Sequence, residues 1–190
     1  LNGKIDTTLL QAGISSRPLP KLSLRADFRR EARSDKTPVY TYLTGVAATA
    51  TNNGQNEPRS VRTTNGKAEA SYALPMDFRL TGGVEYDERE RNTSAVRVVS
   101  TRVKTDETSY RLELRRSLSE TVNGAVSFVH GNRGGSEWIT TTLNNGAVGS
   151  NLMYPMFLAD RKRDKFRGVL DWSPSEALSF NFVVEDAKDT

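Results

Sequence analysis

The sequence has no cysteine and one histidine, His130, in 190 residues. Without thiols it can form no disulfide framework, no thiolate metal site and no Cys-x-x-Cys-His haem attachment, so redox cofactor chemistry would have to belong to a partner. Long hydrophobic runs are equally missing. The most apolar stretch, Leu152 to Ala159, falls far short of the roughly 20 residues of a spanning helix, and no stretch has the pattern of a signal-peptide core. An excess of one charge sign is lacking too. The 27 Lys and Arg against 23 Asp and Glu give a formal net charge of +4, and the two signs are interleaved, which argues against a dedicated nucleic-acid binder with its one-sign patch. With a single histidine and no nucleophile elbow there is no Ser-His-Asp arrangement, and the carboxylates are too scattered to nominate a catalytic pair. No enzyme is expected.

What the sequence does have is alternation. Leu22, Leu24, Ala26 and Phe28 alternate with Lys21, Ser23, Arg25, Asp27 and Arg29, the period of a strand with one greasy and one charged face. The same period recurs at Phe78 to Asp87, Val122 to Phe128 and Leu178 to Glu185, and in partner strands at Lys67 to Leu74, Tyr110 to Arg115 and Lys165 to Trp172. The strand near Ile5 to Ile14 is less clear, with leucines on both faces. Short turns are expected at Arg17-Pro18-Leu19-Pro20, Leu74-Pro75-Met76-Asp77, Ser117-Leu118-Ser119-Glu120 and Ser173-Pro174-Ser175-Glu176, whose prolines, serines and acids are turn formers.

The expected fold is therefore all-β: an antiparallel up-and-down meander of about eight strands. Its four hairpins, the internal repeat, lie at about 4–33, 64–90, 102–131 and 161–186, with long loops at about 34–63, 91–101 and 132–160. Short turns at one end and long loops at the other are the habit of outer-membrane barrels, whereas sandwiches mix loop lengths at both ends. Phe78 to Tyr86, tilted near 40°, would cover roughly 20 Å of membrane height, close to the barrel apolar band of about 25 Å. Aromatics sit where interfacial girdles belong. Tyr72, Phe78, Trp172 and Phe180 lie near the short turns, and Phe28, Tyr86, Tyr110, Phe128 and Phe166 toward the other end. A soluble sheet shows the same alternation; turn asymmetry and banding favour the membrane. The first strand would descend from the long-loop side, so both chain ends are expected there, as in a segment of a larger barrel.

The wording of the repeats carries a resemblance. Ser15-Ser16-Arg17-Pro18-Leu19-Pro20-Lys21-Leu22-Ser23-Leu24-Arg25-Ala26-Asp27-Phe28-Arg29, then Asp35-Lys36-Thr37-Pro38, resembles the decahaem-associated outer-membrane barrel family of MtrB/PioB type, the sheath component of Mtr and Pio electron conduits. Tyr72-Ala73-Leu74-Pro75 with Leu80 to Arg91 resembles its leucine-proline turn and glycine-tyrosine-acidic-arginine strand. Ala159 to Lys165 and Leu170 to Ser179 resemble a strand start and the tryptophan-x-proline-serine turn. The resemblance implies a bacterial outer-membrane barrel of over twenty strands, itself without chemistry or haem. It would enclose a periplasmic multihaem c-type cytochrome and offer its long loops to an extracellular one. Arg25, Arg29, Arg79, Arg111, Arg115 and Arg167 are then the expected lumen-facing contacts, able to hydrogen-bond haem propionates or an acidic cytochrome surface. A diffusion porin and a soluble or cell-surface β-sheet binding module are the alternatives.

Three features tempt toward other chemistry. His130 lacks a metal-ligand companion and lies at a strand end. Met153 and Met156, flanking Tyr154-Pro155, are better read as a loop plug or docking patch than as sulfur ligands. Gly131-Asn132-Arg133-Gly134-Gly135 has the look of a phosphate cradle, but no helix pattern follows it.

Overall fold

The computed structural model describes residues 2–43, 53–92, 100–139, 142–143, 147–148 and 154–190; Met153 and parts of each long loop lie outside the described residues. In chain order the strands are β1 (Ile5–Leu19), β2 (Leu22–Asp35), β3 (Thr41–Leu43), β4 (Asn53–Gln55), β5 (Val61–Ala73), β6 (Phe78–Arg91), β7 (Thr101–Arg102), β8 (Lys104–Ser119), β9 (Val122–Gly135), β10 (Trp138–Ile139), β11 (Thr142–Leu143), β12 (Ala147–Val148), β13 (Arg161–Ser175) and β14 (Leu178–Asp189). The eight long strands form one sheet in the order β1-β2-β5-β6-β8-β9-β13-β14, each antiparallel to its neighbours. This is the expected meander.

Three of the four turns are tighter than the sequence predicts. β1 continues through Arg17, Pro18 and Leu19 to a two-residue Pro20–Lys21 turn, and the third and fourth hairpins close over Glu120–Thr121 and Glu176–Ala177. Register shifts between Ser16 and Leu19, Ser117 and Ser119, and Trp172 and Ser175 account for this. A bulge leaves a residue outside the ladder, so Pro18 and Pro174, with no N–H to donate, stay within strands rather than ending them. The second turn keeps its expected residues, with Met76 and Asp77 in the left-handed region at φ 62° and 59°.

Register sorts the side chains onto two faces. Phe28, Gly66 and Tyr86 share one row, and Leu24, Ala70, Gly82, Leu112, Phe128 and Phe166 another, so the apolar sets of all the long strands fall on one side. In β1 the ambiguity resolves: Leu10, Ala12 and Ile14 join that side, whereas Leu9 faces Glu31 on the polar one.

Among the described residues no second layer covers the apolar face. Among the described residues the sole buried apolar side chain is Leu158, at 3% exposure, while Leu112 and Phe182 are 54% and 53% exposed. A sandwich would bury this face against another sheet. An uncovered apolar face across eight strands far exceeds the patch that a soluble monomer tolerates. Lipid is the environment it fits.

Candidate functional site

The six candidate arginines, Arg25, Arg29, Arg79, Arg111, Arg115 and Arg167, all stand on the polar face. Arg25 faces Glu69, which faces Gly83, which faces Arg111; Arg79 faces Arg115; and Arg167 lies between Ser127 and Glu185. Parity in every strand is what brings them together, because residues two apart share a side.

Most cations on this face have a carboxylate within reach. Along single strands Arg25 pairs with Asp27 at 2.8 Å, Arg29 with Glu31 at 2.7 Å, and Arg89 with Asp87 at 3.2 Å. Lys67 pairs with Glu69 and Arg111 with Glu113 in the same way. Across strands Lys165 meets Glu185 at 2.8 Å, and Arg163 grips Asp189 with two hydrogen bonds of 2.6 and 2.7 Å. Arg161 donates to both oxygens of Glu107 at 2.9 and 3.0 Å. Such exposed pairs are each worth at most about 1 kcal/mol; their effect is to make a wet, charge-balanced surface. Arg133, Arg161 and Arg163 belong to this face as well, although the sequence pattern near them is too charged on both parities to single them out.

The nine aromatics lie on the opposite face. Trp172 stacks on Phe180 at 5.3 Å near the short turns, with Phe182 6.3 Å beyond. Arg116, the cation that interrupts the apolar side there, lies over Phe78 at 4.7 Å, the snorkelling geometry of an interfacial residue. At the long-loop end the Tyr86 hydroxyl donates to Glu88 at 2.7 Å, and Glu88 also meets Lys104 at 2.6 Å. Aromatic bodies on the apolar band with polar tips in a charged rim are the pattern of a headgroup boundary. His130 sits in that rim, its Nδ1 2.7 Å from Asp164. Among the described residues no three His, Cys, Asp or Glu side chains gather as metal ligands.

A third cluster escaped sequence reasoning. The buried Arg102, 5% exposed, donates to the carbonyls of Ser136 at 2.6 Å and Leu158 at 3.1 Å and to Asp160 Oδ1 at 2.6 Å. It also lies 4.9 Å over Trp138, which meets Tyr154 edge-on at 5.0 Å. Its strand β7 pairs with β10 from the next long loop. Gly135 allows this crossing, since a Cβ there would come within 2.3 Å of the Lys104 carbonyl oxygen. Arg133, from the polar face, donates to the carbonyls of Ala159 at 2.9 Å and Met156 at 3.1 Å. The 3₁₀ turn Met156–Leu158 is thus tied over the long-loop end of the polar face, with Met156 87% exposed. The available signal was Trp138 and Tyr154, two aromatics in otherwise polar loop sequence.

Comparison with known proteins agrees with this architecture. The family described as "Putative outer membrane beta-barrel porin, MtrB/PioB" matches residues 1–190. "Outer membrane protein MtrB" of Shewanella baltica (strain OS185) is 26% identical over 191 aligned residues, which include all of this chain and 26% of the relative. The chain therefore spans about a quarter of the length of that curated relative. The family is one of porin-like proteins, not of enzymes. An eight-strand meander with an uncovered apolar face and a charge-balanced polar one, matched from end to end, belongs to the MtrB/PioB family of outer-membrane β-barrel proteins.

Proposed function

We propose that the sheet is part of a barrel wall that encloses a periplasmic multihaem c-type cytochrome and holds it across the outer membrane for electron transfer to the outside. The observation that carries this reading is the polar face. Its cations and carboxylates are interleaved over β2, β5, β6, β8 and β13 and paired across to β14, a surface that can hydrogen-bond haem propionates or an acidic protein surface. The six candidate arginines are the contacts, and the haem belongs to the partner. The nine aromatics meet the lipid boundary. At the long-loop end, Met156 and Phe157 project from the tied 3₁₀ turn, the kind of adaptable apolar patch on which an extracellular cytochrome can dock.

The test uses the full-length protein in vesicles loaded with a reduced dye, with an impermeant oxidant outside. The expected result is dye oxidation only when barrel and cytochrome are both present, together with ion conductance of the barrel alone that the cytochrome abolishes. Conductance unchanged by the cytochrome, with no multihaem protein co-purifying, would establish a diffusion porin instead.

A further inference from the structure

Arg79 and Arg115 stand directly opposite each other on the polar face, near the short-turn end. Facing residues on an antiparallel ladder have Cβ atoms about 5 Å apart, and like charges in that position are destabilising. Most other cations on this face have a carboxylate within reach, and where Arg161 likewise faces Arg133, Glu107 holds Arg161; Arg79 and Arg115 have no such carboxylate among the described residues. Glu113, two residues along β8, is engaged by Arg111, and Asp77, in the left-handed turn, pairs with neither. Among the described residues neither guanidinium makes a hydrogen bond or salt bridge. The row through the pair continues into apolar side chains on both sides, Ala73 toward β2 and Ala125 and Val169 toward β14. Both arginines are exposed. Two exposed cations without a partner among the described residues therefore stand on facing positions of a row that is otherwise apolar on both sides.

We propose that Arg79 and Arg115 form a two-pronged clamp for a single carboxylate, supplied by the acidic surface of the protein that the barrel encloses. One planar anion can accept bidentate hydrogen bonds from a guanidinium and neutralise the facing one at the same time. Binding then relieves the repulsion as well as forming the contacts. The source of the carboxylate rests on the sheath reading; the anion affinity of the pair does not.

The test is arginine modification by phenylglyoxal on the detergent-solubilised full-length protein, read by peptide mass spectrometry, with citrate as the carboxylate probe. Arg79 and Arg115 react faster than the ion-paired Arg25 and Arg29. Citrate slows them by about tenfold, the factor of one charge-assisted hydrogen bond, while chloride at equal ionic strength does not. In the R79Q variant, citrate no longer protects Arg115. Equal protection by chloride, or citrate protection of Arg115 that survives R79Q, overturns the clamp. So does slow modification of both residues without any added anion. Protection by citrate but not by the co-purified cytochrome leaves the clamp standing and removes the sheath reading; the reverse removes the clamp and leaves the sheath.

Discussion

Arg102 illustrates how one side chain can organise a region that has little hydrophobic core. Its guanidinium satisfies carbonyls from two chain segments and covers Trp138, so the 154–160 segment is held by charge-assisted hydrogen bonds together with the burial of Leu158. Arg102→Met keeps much of the volume and removes the donors. It should weaken docking of the 154–160 segment by about 2–4 kcal/mol, since buried carbonyls lose their partners. Chymotrypsin added to the folded protein should then cut after Phe157 or Leu158 faster than in the parent, with the unfolding of the strands unchanged. At Gly135 the constraint is steric. Gly135→Ala brings a Cβ to 2.3 Å from a backbone oxygen and should loosen the same loop by about 1–3 kcal/mol, seen as faster amide exchange at Thr101 and Arg102. Exchange rates equal to those of the parent would show that β7 and β10 are not held by this crossing.

At the scale of the strand, parity decides what a substitution costs. Leu114 shares its row with Leu80 and Val126, between the two aromatic bands, and Ser127 lies on the other face beside Glu113 and Arg167. Leu114→Arg should destabilise the full-length protein in lipid vesicles by about 2–4 kcal/mol, the cost of an arginine at the midplane of a barrel's lipid face, while Ser127→Arg should change little. Urea unfolding of both variants in vesicles measures this, and equal losses would contradict the assignment of the faces. Alternation made most of these placements legible in the sequence, including all six candidate arginines and all nine aromatics. The exceptions are instructive: Leu9 and Leu10 in β1 read as ambiguous until pairing with β2 fixed their sides. The first, third and fourth turns are shorter than their sequence suggests because a bulge keeps residues such as Pro18, Leu118 and Pro174 within a strand, and local turn chemistry is silent about the neighbouring ladder.

Across the whole sheet, the register carries a geometric consequence. The row that starts at Leu22, beside the first turn, passes through Tyr72, Leu80, Leu114, Val126 and Gly168 and ends at Val184, whereas the last turn lies beside Leu178. The short turns thus slip by six residues over six strand-to-strand steps. One residue of about 3.3 Å for each strand spacing of about 4.8 Å corresponds to a strand tilt of roughly 35°, within the range required to close a barrel. Both aromatic bands slip in the same direction, from Tyr86 on β6 to Phe166 on β13 and from Tyr72 on β5 to Trp172 on β13, so each stays near one height in the membrane. Polarised infrared spectra of the full-length protein in oriented bilayers should give a mean strand tilt near that 35°; strands parallel to the membrane normal would mean that the stagger is not a tilt.

The sequence by itself determined the eight long strands, the two faces of all but the first, the long-loop and short-turn ends and the side on which the nine aromatics fall, because each follows from a period of two and from local turn chemistry. Only the tertiary structure decided which residues face one another. The order of strands and their register depend on pairing between residues far apart in the chain, on which local periodicity is silent. That pairing supplies carboxylates from other strands to Arg161 and Arg163 and sets Arg79 opposite Arg115. It also brings Arg102 beneath a loop more than fifty residues away, where the bonds that hold it are made with carbonyls, groups that every residue carries and no sequence pattern marks.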